Sequence, residues 1–160
     1  MMYNNDLKNL DLHSILSENG LVAVWCTNSI QHLNMLKNEI FPKWNVKFAS
    51  KWYWLKVTQS GEVICSFSPP PGKQPFEQII FGCRNSRKFR NPPNAKIVVS
   101  VPSALHSHKP PLSELLKLYL PNDPKCLEVF ARYLLPNWTS YGNEVLKFQH
   151  ESLYDMNISE

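Results

Sequence analysis

Leu21-Val22-Ala23-Val24-Trp25-Cys26 is a run of six apolar strand formers, introduced by Asn19-Gly20 and closed by Thr27-Asn28. A run without polar alternation suits a strand buried on both faces, the kind that α/β sheets contain. Ser29 then offers a helix cap, and Ile30, Leu33, Leu36, Lys37 and Ile40 keep helical spacing up to Pro42, which is expected to stop the helix. Strand followed by helix is therefore the first signal in the chain.

Further along, Val46 to Thr58 alternates large apolar and polar residues, and Ser60-Gly61 supplies a turn before Val63-Ile64-Cys65, which predicts a long hairpin. The prolines and glycine between Ser68 and Pro75 exclude regular structure and predict an exposed loop. Strands are expected again at Phe76 to Cys83, Lys96 to Val101 and Cys126 to Phe130, and a helix at Leu112 to Leu120 with Leu112, Leu115, Leu116 and Tyr119 on one face. After Ala131-Arg132 the pattern predicts a polar, aromatic loop through Trp138, Tyr141, Gly142, Asn143 and Glu144. Strands alternating with helices, without an internal repeat, imply an open and largely parallel α/β sheet with flanking helices.

With 160 residues, 43% of them hydrophobic, the chain can bury one real core, so a single domain over 1–160 is expected, with 151–160 as a flexible tail. The net charge of +4 permits a polyanionic partner without requiring one. The polar start lacks the apolar core of a secretory signal and no apolar run is long enough for a membrane span, so a soluble, intracellular protein is expected. Cys26, Cys65, Cys83 and Cys126 are scattered, with no Cys-x-x-Cys pair, and predict neither disulfides nor a zinc site. His106 and His108 would make only half of a metal site.

Two clusters invite functional readings. Arg84, Arg87, Lys88 and Arg90 form a basic loop whose charges would neutralise phosphates, although such loops are as often merely solvated. Trp52 and Trp54 share one side of a strand, where core packing is favoured over a base-stacking platform. Glu128, on an apolar strand, is expected either to meet a ligand or to pair with a cation such as Arg132.

Several segments, in order, resemble the MT-A70-like adenine methyltransferases, and within them the methyltransferase-like protein four branch. They are Val22 to Asn28, Trp52-Tyr53-Trp54-Leu55-Lys56, Val101 to Pro111, Glu128-Val129-Phe130-Ala131-Arg132 and Trp138 to Gln149. The specific ones are His106-Ser107-His108-Lys109-Pro110-Pro111 and Gly142-Asn143-Glu144-Val145-Leu146-Lys147-Phe148-Gln149. The resemblance implies a Rossmann-like fold in permuted order, S-adenosyl-L-methionine (SAM) as cofactor, and transfer of its methyl group to the exocyclic amine of adenine in RNA or DNA. It also implies a nuclear location, with the cytoplasm as a second one, and allows a protein partner.

On this resemblance Glu128 to Arg132 is the cofactor strand and its exit, so the loop after it lies where open α/β sheets bind ligands. Lys109 becomes the candidate for the SAM carboxylate, and Arg132, Asn143 and Glu144 the candidates for its ribose and adenine. The family's Asp-Pro-Pro-Trp, whose acidic side chain accepts from the target amine, is absent from these 160 residues, and no catalytic residue is assigned. The motif is expected upstream of the region given. Asn91-Pro92-Pro93-Asn94 resembles an amino-methyltransferase motif only superficially, since its fourth residue cannot stack on a base. The expectation is therefore an incomplete SAM-dependent N6-adenine methyltransferase, the alternative a non-catalytic family member that binds nucleic acid or a partner.

Overall fold

In the computed structural model, which describes residues 4–69, 71–85, 92–105 and 108–153, the chain forms two compact units, Met1–Pro102 and Ser103–Glu160. The first is a four-stranded sheet with helices on one face. Its elements in chain order are α1 (Asn4–Lys8), α2 (Leu12–Ile15), β1 (Leu21–Cys26), α3 (Ile30–Met35), a π-helical turn (Leu36–Ile40), α4 (Phe41–Lys43), β2 (Lys47–Lys56), β3 (Phe76–Cys83) and β4 (Ile97–Ser100). The strand order is β1-β3-β2-β4.

The expected largely parallel sheet is corrected to a mixed one. β3 runs antiparallel to both β1 and β2, and only the β2–β4 pair of this sheet is parallel. The helical crossover between β1 and β2 sets those two strands in the same direction, and β3 returns between them without a helix. β1 is also half-buried along its length instead of buried on both faces, because it is an edge strand among the described residues.

Ser29 caps α3 as expected, its Oγ accepting from the His32 N–H, but Pro42 does not end the helical run, which continues to Lys43. A proline ring collides with the carbonyl four residues earlier in a regular helix, and the wider π turn just before it relieves that collision. Leu36, Ile40, Phe41 and Trp44 from this run are packed with Val46 and Ile80, and Val22 and Val24 join from β1. Gly82 makes the close approach possible: a Cβ there would stand 2.4 Å from Val46 Cγ1 and 2.8 Å from Phe41 Cε2.

Trp52, Ile79 and Phe81 are fully buried on the opposite face, and Trp54 nearly so. Trp52 meets Phe81 edge-on at 4.9 Å, and Trp25 meets Trp54 at 5.6 Å. Core packing is thus the role of both β2 tryptophans. The expected long hairpin shrinks to one bridge, Val57 with Val63, closed by the turn at Gly61 (φ 86°). β2 takes β3 as its long partner instead.

The second unit holds α5 (Leu112–Leu116), β5 (Cys126–Val129), β6 (Trp138–Tyr141) and two 3-10 turns, Lys147–Gln149 and Glu151–Leu153. α5 is shorter than expected, and Leu116 is its buried residue. β6 occupies part of the stretch expected to be loop and pairs parallel with β5, Glu128 opposite Ser140. Parallel neighbours ordinarily need a crossover of a dozen residues or more. The link over 130–137 does it in fewer, with left-handed backbone at both ends, Phe130 (φ 65°) and Asn137 (φ 63°).

Candidate cofactor site

Charged and aromatic side chains converge at the carboxyl end of β5. The chain leaves the strand through Phe130, whose positive φ is costly for a bulky residue and swings the backbone back across the end of β6. Ala131 is buried there and donates its N–H to the Tyr141 carbonyl at 3.1 Å. Gly142 lets the two segments touch, since a Cβ at that position would stand 3.1 Å from the Ala131 nitrogen and oxygen and from Phe130 Cα.

The turn at Lys147–Gln149 is fastened to the same exit. The Phe148 N–H donates to the Arg132 carbonyl at 2.8 Å, and the Leu134 N–H donates to Gln149 Oε1 at 3.0 Å. Glu144 therefore comes within reach of two cations, Lys147 Nζ at 2.6 Å and Arg132 Nε at 3.4 Å. The Lys147 hydrogen bond, followed by the charges of Lys147 and Arg132, holds the exposed Glu144 carboxyl below its ordinary range. The Arg132 guanidinium also sits 6.0 Å from the centre of the Phe148 ring.

His108 reaches the same ring. Its imidazole lies 5.4 Å from Phe148 and 5.0 Å from Tyr133, the latter in an edge-to-face contact. Lys109 is the next residue, half-buried before the two prolines. Of the four residues proposed for the cofactor, Arg132 and Glu144 are thus in direct contact, Asn143 is exposed beside Glu144, and Lys109 adjoins a ring that shares Phe148 with Arg132.

Glu128 makes no pair with Arg132, whose carboxylate partner is Glu144. Instead, Glu128 Oε2 and the Ser140 Oγ of the facing strand are both buried without a hydrogen-bond partner among the described residues. Burial pushes the Glu128 carboxyl up, and burial together with the Glu128 charge pushes the Tyr133 phenol up. The carboxylate only accepts and the serine hydroxyl both donates and accepts, so this pair suits a ligand that brings hydroxyls.

Elsewhere the proposed residues have other duties. Arg84 donates to the carbonyls of Leu16 at 2.6 Å and His13 at 3.3 Å, tying down the end of α2, while Arg87, Lys88 and Arg90 lie outside the described residues. The described part of the Asn91 to Asn94 segment supports β2: the Pro93 carbonyl accepts from Trp52 Nε1 at 2.7 Å and Asn94 Oδ1 from the Lys51 N–H at 3.0 Å. Asn28, at the carboxyl end of β1, donates to the Phe76 carbonyl and accepts from Gln78. Burial pushes the nearby Cys26 thiol up to about 11, which disfavours the thiolate form. Among the described residues, no three metal-ligating side chains gather, and no helix is long and apolar enough to cross a membrane.

Tyr133, Ser140, Lys147 and Phe148 belong to this cluster and were not legible as site residues. The Glu144–Lys147 spacing of three is the one local signal that pointed to a contact. Phe148 follows no apolar period, and Ser140 lies on a strand too short to announce itself.

A mixed α/β protein with a charged and aromatic cluster at a strand's carboxyl end is the class that these observations define. The MT-A70 family model matches residues 1–144, and the chain belongs to the MT-A70 family. It is 42% identical over 154 residues to the N(6)-adenine-specific methyltransferase METTL4 of Mus musculus, covering 90% of this chain and 32% of that protein. It is 36% identical to the N6-methyladenosine RNA methyltransferase MTA1 of Pyricularia oryzae, over 94% of this chain and 41% of the relative. Against the DNA N6-methyl methyltransferase of Caenorhabditis elegans the identity is 38%, with the same two coverages of 94% and 41%. The chain therefore spans between about a third and two-fifths of the length of these relatives.

Proposed function

We propose that these residues form the cofactor-binding part of a SAM-dependent N6-adenine methyltransferase acting on RNA or DNA. The cluster of Arg132, Glu144, Glu128 and Ser140 at the exit of β5, inside a chain of this family, carries the reading. The residues fit the cofactor's chemistry. A carboxylate suits Lys109, a diol suits acceptors such as Glu128 and Glu144, and an adenine edge suits the amide of Asn143. The buried oxygens of Glu128 and Ser140, without a hydrogen-bond partner among the described residues, support a ligand that brings hydroxyls. When bound, SAM supplies an electrophilic methyl group on a sulfonium. The Rossmann-like arrangement in permuted order and a nuclear location are parts of the same proposal.

The role left open within these residues is acceptance of the target amine's proton. An adenine amine donates its lone pair to the ring, so it needs acceptors before it can attack, and the Asp-Pro-Pro-Trp that the family resemblance assigns to this task is absent from the 160 residues. We expect these residues to bind cofactor without turning over. Incubation with methyl-tritiated SAM and adenine-containing RNA and DNA oligonucleotides tests this: cofactor should be retained and no label transferred. Transfer to adenine would contradict the division of labour, and failure to retain cofactor would contradict the reading as a whole.

A second reading, a non-catalytic member that holds a partner, is favoured by one feature of the sheet. Ile97 and Val99 on the edge strand β4, with Val101 just after it, expose more than half of their surface on one face.

A further inference from the structure

Three aromatic rings of the second unit join Lys109 to the Arg132–Glu144 pair. His108 packs edge-on against Tyr133 at 5.0 Å and in a tilted contact against Phe148 at 5.4 Å, while Tyr133 and Phe148 lie 6.4 Å apart. Phe148 is 4% exposed. Its N–H holds the Arg132 carbonyl, and its ring faces the Arg132 guanidinium. On the other branch, His108 is fixed by its N–H to the Leu105 carbonyl at 3.2 Å and by Nδ1 against Ser103 Oγ at 3.3 Å.

Lys109 is therefore bounded on both sides. His108 before it is seated on a buried ring, and Pro110-Pro111 after it have restricted φ and lead into α5. A lysine in an unconstrained loop would lose backbone and side-chain freedom on meeting a ligand, whereas one held in advance loses less. We infer that His108 is a positioning residue for the cofactor: seated on Tyr133 and Phe148, it fixes Lys109 relative to Arg132 and Glu144. One ligand with a carboxylate at one end and a nucleoside at the other then meets both. The inference rests on the cofactor reading above and assigns His108 no contact with the ligand. What the contact requires is a flat ring, so phenylalanine replaces histidine and alanine does not.

The experiment uses the full 160-residue chain and S-adenosylhomocysteine, the demethylated product of SAM, as calorimetric probe. His108→Ala should weaken binding roughly tenfold, the size of effect that loss of an aromatic contact produces, and His108→Phe should restore it to within about threefold. Thermal unfolding of each variant shows whether the fold survives. In parallel, amide hydrogen exchange without ligand should be faster at Lys109 in Phe148→Leu than in the wild type. Equal binding by wild type and His108→Ala, no rescue by His108→Phe, or unchanged exchange at Lys109 overturns the inference and leaves the cofactor reading standing. No binding by a folded wild-type chain overturns the cofactor reading, and the exchange measurement still decides whether the ring contact fixes Lys109.

Discussion

Glu128 and Ser140 face each other across the parallel β5–β6 ladder, and each buries an oxygen that no described residue satisfies. A half-buried carboxylate in that position is a cost to the fold whenever it is charged. Its folded-state pKa lies above its unfolded one because of burial. The penalty is therefore fully present above the folded pKa, shrinks as pH falls through it, and vanishes below the ordinary carboxylate range. Glu128→Gln should raise the Tm by a few degrees at neutral pH, and the gain should close on acidification. A difference in Tm that is constant with pH would contradict this account.

The other carboxylate of the cluster has the opposite sign. Lys147 first and Arg132 second keep Glu144 below its ordinary range, so its contribution is present above the unfolded pKa and is lost as pH falls through the folded one. That contribution is small, because the group is exposed and salt screens it. Glu144→Gln should leave the Tm at physiological salt nearly unchanged while lowering S-adenosylhomocysteine affinity about tenfold or more. A large stability loss with normal affinity would make Glu144 a structural residue.

Two glycines separate packing from site geometry. Gly82→Ala would force a Cβ into Val46 and Phe41 under the helical run, and Gly142→Ala would press on the backbone of Phe130 and Ala131. Each should cost about 1–3 kcal/mol by overpacking. The expected difference is in binding: Gly82→Ala should leave the affinity of the folded molecules for S-adenosylhomocysteine intact, and Gly142→Ala should weaken it. Denaturant unfolding together with calorimetry on both variants checks this, and equal affinities would show that the exit of β5 is not part of the site.

Exposed apolar side chains on an edge strand favour self-association. With Ile97, Val99 and Val101 uncovered, Val99→Lys should reduce association of the chain at high concentration, as read by sedimentation velocity. Identical profiles for wild type and variant would show that this row is not the contact.

Much of the fold was legible in the residues. The unbroken run at Leu21–Cys26 and the capped, periodic segment after Ser29 declared a strand and a helix, and both formed. Strand direction was not legible, since apolar periodicity is the same for parallel and antiparallel neighbours. β3 thus entered between β1 and β2 in the opposite sense to the one expected. β6 escaped because its four residues alternate half-buried and exposed and follow a proline-bearing link that turns on left-handed backbone at Asn137. Likewise, Arg132 and Glu144 could be named from the family resemblance, but their mutual pairing, and the ring of Phe148 between Arg132 and His108, depend on how the chain doubles back after β5.

Calorimetry of SAM against the folded chain, with Lys109→Ala and Asn143→Ala alongside, decides whether these residues bind the cofactor. The wild type should show one site, and each variant should lose about tenfold or more in affinity. A chain that unfolds cooperatively on heating yet binds no SAM would contradict it, and would leave the partner-binding reading in its place.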